Sequence, residues 1–440
     1  MEHHVDTLRE ACADPDALFA IPHEDLLRLI YRGFSIDIDR LKRAYSIRDN
    51  GYCLPSSSSP SRIIYDEDYD EVNRTLVGFL ALRWIHLGQY DEFVASQPPE
   101  ARLTRESFDW IREFYTQTVA NSDTLYVLIV SIVINDLGKD PQLASDYGKL
   151  TGEDISEMNH DAVLLEACNI GLVQSLQNLP SPDQEDVMSA IKLGATFNFG
   201  QLAQAENAPI CLSSLLQMKD NLRSFHIRFM EQLLDISGAA GHMDWTCAKK
   251  LIQPIFDSYR NVYDACQGVI SGSLDLRGAY DLVLIRRAEF LYNKGLRLLC
   301  VSDSPSDRAV ARLLCMGNVA TLEKVRLFEE TWNALEDPYR EDLVHALNID
   351  GQRGKPAVQP TYMPAFLTRI TDKRALQCAL RYLCRIMIAN DSEDESVVII
   401  ERSVLGVMKM YVETGLFDKD PTILENIDIP EGVSAQSESS

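Results

Sequence analysis

The sequence predicts an all-α fold, built as one large helical domain. Apolar residues recur with helical spacing along most of the 440 residues. No alternating run of apolar and polar residues long enough to form a strand stands out, and no repeat period is visible. Hydrophobic residues make up 46% of the chain, which is enough for a sizeable buried core.

The predicted elements follow in order from the N-terminus. Residues 1–49 are predicted to form short helices. Residues 50–63, which contain two prolines and a run of four serines, are predicted to form a flexible, exposed loop. The helical domain is expected at 64–428, opening on the acidic segment Asp66–Glu71, and a disordered tail is expected at 429–440.

Within this domain the helix at 124–137 is apolar on every side, which predicts a position at the centre of the fold. The segment Gly351–Pro364 contains three prolines and is predicted to be a long surface loop. The other main helices are expected at 72–87, 104–119, 156–177, 183 onwards, 213–236, 244–271, 275–301, 306–316, 321–335, 339–347 and 372–390.

Composition limits the classes of function. A net charge of −24 and a pI near 4.7 argue against DNA binding, which needs a basic surface. None of the ten cysteines forms a C-x-x-C pair, so reduced, core-filling cysteines are expected. The N-terminal residues have no apolar segment, and the most apolar run, 124–135, is too short to span a bilayer. We therefore expect a cytoplasmic protein without a membrane contact.

The first candidate for a functional site is the end of the apolar helix. Asn135 and Asp136 follow it directly, and polar side chains there are costly unless they are hydrogen-bonded or bind a ligand. The alternative is a helix C-cap, with Gly138 left-handed and Lys139 facing the helix dipole.

Two later segments carry further polar candidates. His160 and Asp161 precede an amphipathic helix, and Asp235 lies near the end of another. Gly238 and Gly241 interrupt that helix, so Asp235 and His242 are expected to converge and a substrate to approach the backbone there. His226 lies nine positions before Asp235, on the opposite face of a straight helix.

The order of these residues resembles the HD superfamily of metal-dependent hydrolases and oxygenases, over about residues 105–245. The segment from Asn135 to Lys139 is similar to that family's H-D-x-G-K motif, with Asn in place of His. The resemblance implies a divalent metal held by Asp136, His160 and Asp235. Replacement of the histidine by Asn135 removes one strong ligand for a transition metal.

Basic residues are concentrated on two helix faces. Arg374, Arg381 and Arg385 share one face, and Arg286 and Arg297 align on another. Such faces are suited to the phosphate backbone of RNA. The alternative is that they pair with the abundant carboxylates of the chain.

Over its whole length the chain resembles the fungal arginine-containing cyclodipeptide synthases. The resemblance lies in the length of the chain, its acidity, its predicted all-helical character and the stretches 133–140 and 233–242. It implies an enzyme of secondary metabolism that needs no cofactor. Such an enzyme condenses arginine from arginyl-tRNA with an amino acid from a second aminoacyl-tRNA into a diketopiperazine.

This resemblance gives each candidate an expected role. One aspartate would hold the guanidinium or ammonium group and one histidine would accept a proton. The expected catalytic residues are Asp136, His160, Asp235 and His242. The expected substrate contacts are Asn135, Lys139 and Asp161, with Arg286, Arg297, Arg374, Arg381 and Arg385 meeting the RNA. The alternatives are an HD-type metal-dependent phosphohydrolase or di-iron oxygenase, and a non-catalytic helical scaffold.

Overall fold

The structure, a computed structural model, describes residues 2–45, 54–389 and 394–436, and helices dominate it, which confirms the predicted fold class. The helices are α1 (Glu2–Ala11), α2 (Pro15–Ala20), α3 (His23–Gly33), α4 (Ser35–Leu41), α5 (Pro60–Tyr65), α6 (Asp70–Leu87), α7 (Tyr90–Phe93), α8 (Arg105–Thr118), α9 (Ser122–Ile134), α10 (Pro141–Thr151), α11 (His160–Asn169), α12 (Gln174–Gln177), α13 (Ser181–Thr196), α14 (Phe199–Ala203), α15 (Leu222–Gly238), α16 (Gln253–Ser271), α17 (Leu276–Tyr292), α18 (Pro305–Met316), α19 (Leu322–Ala334), α20 (Asp337–Leu347), α21 (Met363–Arg369), α22 (Lys373–Ile388), α23 (Leu405–Val407) and α24 (Leu416–Lys419). Short 3-10 helices occur at Leu137–Lys139, Pro209–Lys219 and Pro421–Asn426, and a π-helix at Met408–Val412.

The chain divides into two compact units. Unit 1 comprises residues 1–196 and 220–257, and unit 2 comprises residues 197–219 and 258–440. These boundaries fall inside the domain expected at 64–428. The segment 197–219, which lies within the expected core 105–245, belongs to unit 2.

The centre of unit 1 is α9, as its sequence predicts. Every residue from Thr124 to Ile134 is buried. The helix begins at an Asn121 side chain that accepts a hydrogen bond from the Thr124 N–H at 2.9 Å. Burial on all sides fixes the position of the polar residues that follow the helix.

Close backbone packing joins α15 to α6. A Cβ atom added at Gly238 would lie 2.2 Å from the Arg74 carbonyl oxygen, and one added at Gly78 would lie 2.9 Å from that of Leu234. The sequence predicted that glycines at this point admit a substrate. In the structure these glycines allow α6 to pack closely against α15. This packing fixes the spacing of the charged residues on the two helices.

Three of the predicted irregular segments contain regular structure, and the first is the loop expected at 50–63. In the loop expected at 50–63, residues 50–53 lie outside the described residues, and Pro60 begins α5. Ser59 caps that helix and is fully buried, so the exposed loop is shorter than predicted. Serine and proline at a helix N-terminus have the same composition as a loop.

A three-stranded sheet in unit 2 was not predicted. Strand β1 (Ala357–Gln359) pairs in parallel with β2 (Val397–Glu401), which pairs antiparallel with β3 (Val433–Gln436). Strand β1 and α21 occupy part of the loop expected at 351–364, and β3 occupies part of the tail expected to be disordered. Strands of three to five residues carry too little pattern to be detected, because β2 is buried on both faces and does not alternate.

Within the described parts of the chain, no single helix is long and apolar enough to cross a membrane. The pair formed by residues 105–118 and 122–139 passes the test jointly by length and composition, with a bend of 116° between its halves.

Candidate functional site

Charged side chains from four segments meet inside unit 1. They come from α6, from the 3-10 helix after α9, from the start of α11 and from α15. We call this group the charge cluster. Its members are Glu71, Arg74, Asp136, Lys139, Asp161, Arg228, Glu231 and Asp235. Five carboxylates therefore face three permanent cations in a largely buried region.

The Lys139 ammonium lies between two carboxylates. Its Nζ is 2.8 Å from Glu71 Oε1 and 2.9 Å from Asp136 Oδ1. Arg74 also donates to Glu71 Oε1, at 2.9 Å. Burial disfavours the charged ammonium, but the two carboxylates outweigh this and raise the pKa of Lys139.

The pKa values of the two carboxyl groups that contact Lys139 shift in opposite directions. Burial opposes ionisation of Asp136, but the Lys139 ammonium outweighs it and holds the pKa of Asp136 below its ordinary value. Burial, and then the charge of Asp136, raise the pKa of Glu71. The second oxygen of Glu71, Oε2, is buried and has no hydrogen-bond partner among the described residues. The carboxylate is therefore only half satisfied.

Arg228 connects the other side of the cluster. It donates to Asn135 Oδ1 at 2.7 Å, pairs with Glu231, and lies 3.6 Å from Asp161 Oδ1. Its guanidinium packs against Gly194 of α13, where an added Cβ would lie 2.6 Å from a terminal nitrogen. Asn135 therefore serves as a hydrogen-bond acceptor for this arginine.

The Asp235 carboxylate has few stabilising contacts in the cluster. Its one hydrogen bond within the described structure comes from Gln232 Nε2 at 3.3 Å. Burial, followed by the charge of Asp136, raises the pKa of Asp235. Burial likewise raises the pKa of Glu231 to about 8, despite its pairing with Arg228. Carboxyl groups therefore outnumber cations around α15, and burial disfavours the charged forms of Glu231 and Asp235.

His160 is the first residue of α11 and lies at the edge of the cluster. The Asn159 side chain caps this helix by accepting from the Ala162 N–H at 2.9 Å. His160 Nε2 is 3.7 Å from Asp161 Oδ2, and the side chain is 35% exposed. A histidine that is partly open to solvent and next to carboxylates has the chemistry of a proton acceptor.

Gly138 permits this placement of His160. A Cβ at Gly138 would lie 1.8 Å from the His160 carbonyl oxygen, which is an impossible contact. Gly138 does not have a positive φ, so the alternative of a left-handed helix cap is wrong. The glycine is needed for the close approach of α11.

Replacing Gly138 with alanine is expected to push α11 away and lower the free energy of unfolding by roughly 1–3 kcal/mol. Gly406, which has open space around its Cα, is the matched control and should tolerate alanine. Urea unfolding of the two variants checks this difference. Equal midpoints would contradict the role assigned to Gly138.

A small pocket adjoins the cluster. Its polar wall includes Asn135, Asp161, Arg228 and Glu231, and its apolar wall includes Ile191. The space open to the centre of a water molecule is about 20 Å³, enough for one or two waters. A larger ligand therefore enters only when a side chain of the wall, such as Arg228, turns aside.

The structure brings most of the expected site residues in unit 1 together. Asn135, Asp136, Lys139, Asp161 and Asp235 belong to the cluster or contact it directly, with His160 at its edge. His242 lies in the turn after α15, with both ring nitrogens buried. His226 packs against Phe114 of α8, with ring centroids 5.5 Å apart.

The arginines expected to meet RNA all belong to unit 2, and four of them have partners within it. Arg286 pairs with Asp264 at 3.4 Å, and Arg297 with Asp307 at 2.7 Å. Arg381 pairs with Glu336 and Glu425. Arg385 donates to the carbonyl groups of residues 424, 425 and 427. Arg374 is exposed. These contacts favour the alternative that the basic faces are engaged by neighbouring acceptors.

Sequence reasoning missed four members of the cluster. Glu71 belongs to the acidic segment Asp66–Glu71, whose composition is typical of an exposed surface, but it is 1% exposed. Arg74, Arg228 and Glu231 were not singled out. The available signal was a charged residue within an otherwise apolar helix, as at Arg228 and Glu231 between the buried Phe225, Ile227, Met230 and Leu233.

The cluster does not fit the metal site that the HD resemblance implies. The Lys139 ammonium occupies the place between Glu71 and Asp136 that a cation would take. Arg74 and Arg228 add two further positive charges, which would repel a divalent ion. Among the described residues, no three His, Cys, Asp or Glu side chains are grouped as metal ligands.

Comparison with known proteins places the chain in a family. A model described as a family of unknown function (DUF6829) matches residues 27–424. The chain belongs to this family. The matched part of this DUF6829 protein includes every residue of the charge cluster. No curated protein and no solved structure matches the chain.

Proposed function

We propose that this DUF6829 protein is a tRNA-dependent cyclodipeptide synthase. It condenses arginine, delivered by arginyl-tRNA, with a second amino acid from another aminoacyl-tRNA. The product is a diketopiperazine, and the reaction takes place in the cytoplasm, where charged tRNAs are available. The observation that carries the proposal is the excess of carboxyl groups, five against three cations, in the largely buried charge cluster.

A cationic ligand would correct this imbalance. Glu71 Oε2 has no partner within the described structure, and Asp235 accepts a single long hydrogen bond. A buried carboxylate oxygen without a hydrogen-bond donor is costly, and a guanidinium or ammonium group supplies such a donor. A guanidinium group can also bind a carboxylate through two parallel hydrogen bonds. An arginyl group supplies both cations.

The chemistry is two successive acyl transfers. The α-amine of one aminoacyl-tRNA attacks the ester carbonyl of the other, which forms a C–N bond and releases a ribose hydroxyl. The free amine of the resulting dipeptidyl-tRNA then attacks the remaining ester and closes the ring. Each step moves one proton from nitrogen to the leaving ribose oxygen.

His160 is the group we assign to this proton transfer. It is partly exposed at the edge of the cluster, and it lies close enough to Asp136 for its charge to lower the pKa of that carboxyl. An imidazole within hydrogen-bond reach of the α-amine can accept its proton. Asp235 and Glu71 would hold the cationic groups of the substrate, and Asp136 would hold Lys139 in place.

The proposal requires no metal or organic cofactor. Ester aminolysis already has an activated acyl group, so the protein needs to bind, orient and exchange protons. The Lys139 ammonium takes the place that a metal would have between two carboxylates. Tight binding of whole tRNA is not expected for a chain of net charge −24, so the complex should be transient and sensitive to salt.

The test is product formation from charged tRNAs. The purified protein is incubated with arginyl-tRNA and a pool of other aminoacyl-tRNAs, and the products are identified by mass spectrometry. The proposal predicts an arginine-containing diketopiperazine that is absent when deacylated tRNA and free amino acids are supplied. Absence of any such product with every charged tRNA would refute it and favour a non-catalytic scaffold.

A further inference from the structure

Unit 2 contains an open groove that is unrelated to the charge cluster. It lies between the first turn of α18, one face of α20 and the turn before β1. Its volume is about 560 Å³. The lining residues are Pro305, Ser306, Arg340, Glu341, Val344, His345, Asn348 and Lys355. Pockets of this size hold nucleotide-sized ligands.

The lining holds more basic than acidic side chains, although the chain as a whole is strongly acidic. Arg340, His345 and Lys355 face one carboxylate, Glu341. In a protein of net charge −24, a groove with this balance stands apart from the average surface.

Two of these basic side chains have no intramolecular partner. Within the described residues, no hydrogen bond or ion pair involves the Lys355 ammonium or the His345 ring, and both residues are exposed. Arg340 is held by Asp337 and by the Leu335 carbonyl at 3.4 Å. The arginines Arg297 and Arg381, in contrast, are fully engaged by carboxylates. The groove therefore offers donors that are free to bind a ligand.

We propose that this groove binds the phosphate group of a nucleotide-sized ligand. The Lys355 ammonium and the His345 imidazole can donate to a phosphate, which accepts hydrogen bonds on several oxygens. Arg340, already paired with Asp337, adds positive charge beside them. The apolar wall at Pro305 and Val344 would pack against the rest of the ligand. A free nucleotide and the end of an RNA strand both carry this chemistry.

The experiment is a titration of the full-length protein with AMP at low salt, measured by isothermal titration calorimetry. Adenosine, which lacks the phosphate, serves as the control ligand and should not bind. Lys355→Glu should weaken AMP binding by about tenfold or more, since a charge is reversed beside the phosphate. Lys373→Glu makes the same change at an exposed lysine on α22, outside the groove, and should leave binding unchanged.

A variant that removes a negative charge from the groove tests the same assignment. Glu341→Gln removes the one carboxylate of the lining and should tighten AMP binding by about twofold or threefold. Deacylated tRNA, tested in parallel, distinguishes the two sources of the phosphate. If its binding is also weakened by Lys355→Glu, the ligand is an RNA end; if only AMP responds, it is a free nucleotide.

Two results would overturn the proposal. One is AMP binding that is absent, or equal to that of adenosine. The other is an equal loss of binding in the Lys355→Glu and Lys373→Glu variants, which would show that overall charge decides. The charge cluster lies in unit 1, so neither result would bear on the proposed synthase activity.

Discussion

The Asp235→Asn variant is expected to lose diketopiperazine formation by about two to four orders of magnitude while its fold remains at least as stable. The loss of activity follows from the proposed role of Asp235 in holding a cationic group of the substrate. Product formation measured by mass spectrometry and the midpoint of urea unfolding, both at pH 7 to 8, check the two parts of the expectation.

The Asp235→Asn variant is expected to keep its stability because of the pKa of the wild-type carboxyl group. Burial and the charge of Asp136 raise the pKa of Asp235. A carboxyl group whose pKa is raised on folding binds its proton more tightly in the folded state, so it lowers stability as the pH rises above its ordinary pKa. Asparagine keeps the shape and removes the charge, so the penalty disappears at neutral pH.

The control is Asp109→Asn on α8, because Asp109 is 54% exposed and, among the residues that the structure describes, pairs with Arg105 alone. It should change neither activity nor stability. Full activity in Asp235→Asn would remove Asp235 from the site. A large loss of stability would show that Asp235 is a structural partner of the cluster.

The second large effect is expected for Lys139→Met, which should lower the free energy of unfolding. Removal of this cation leaves the buried Glu71 and Asp136 without their shared partner. Breaking a buried ion pair in this way costs about 3–5 kcal/mol of unfolding free energy. Urea unfolding should show a large fall in midpoint, partly recovered at acidic pH, where the carboxylates take up protons.

Lys149→Met is the matched control. Lys149 forms an ion pair with Asp146 at 3.2 Å, but its side chain is 65% exposed, so the pair is screened by solvent. Surface pairs of this kind contribute about 1 kcal/mol or less. If both variants were destabilised equally, the Lys139 pair would not be the centre of the cluster.

The sequence indicated buried polar contacts at the end of α9 because one rule operates there strongly. An apolar helix that ends in Asn135 and Asp136 requires polar partners inside the protein. Whether Asp136 and Asp235 share a site could not be decided from the sequence; in the structure the charge of Asp136 raises the pKa of Asp235. Burial of the whole of α9 follows from the same pattern.

The partners themselves could not be predicted. Glu71 is separated from Lys139 by 68 residues, and neither local pattern indicates the other. Arg228 and Glu231 look like an ordinary charged pair on a helix surface, because spacing along one helix does not say which face is buried. Tertiary packing decides this, and it depends on glycines such as Gly78 and Gly238, whose neighbours are unknown from sequence alone.

The short strands of unit 2 escaped prediction for a related reason. Val397–Glu401 becomes a strand because residues 357–359 and 433–436 pair with it, and both partners are distant in sequence. A run of four buried apolar residues is equally compatible with a helix.

The most direct test of the central claim is the binding of L-argininamide to the wild-type protein and to Asp235→Asn, measured by calorimetry. Argininamide has the guanidinium and α-ammonium groups of an arginyl ester without the tRNA. The account predicts saturable binding to the wild type, a loss of about tenfold or more in Asp235→Asn, and no binding of the neutral analogue L-citrullinamide. Equal affinity of both proteins for argininamide, or equal binding of citrullinamide, would contradict it.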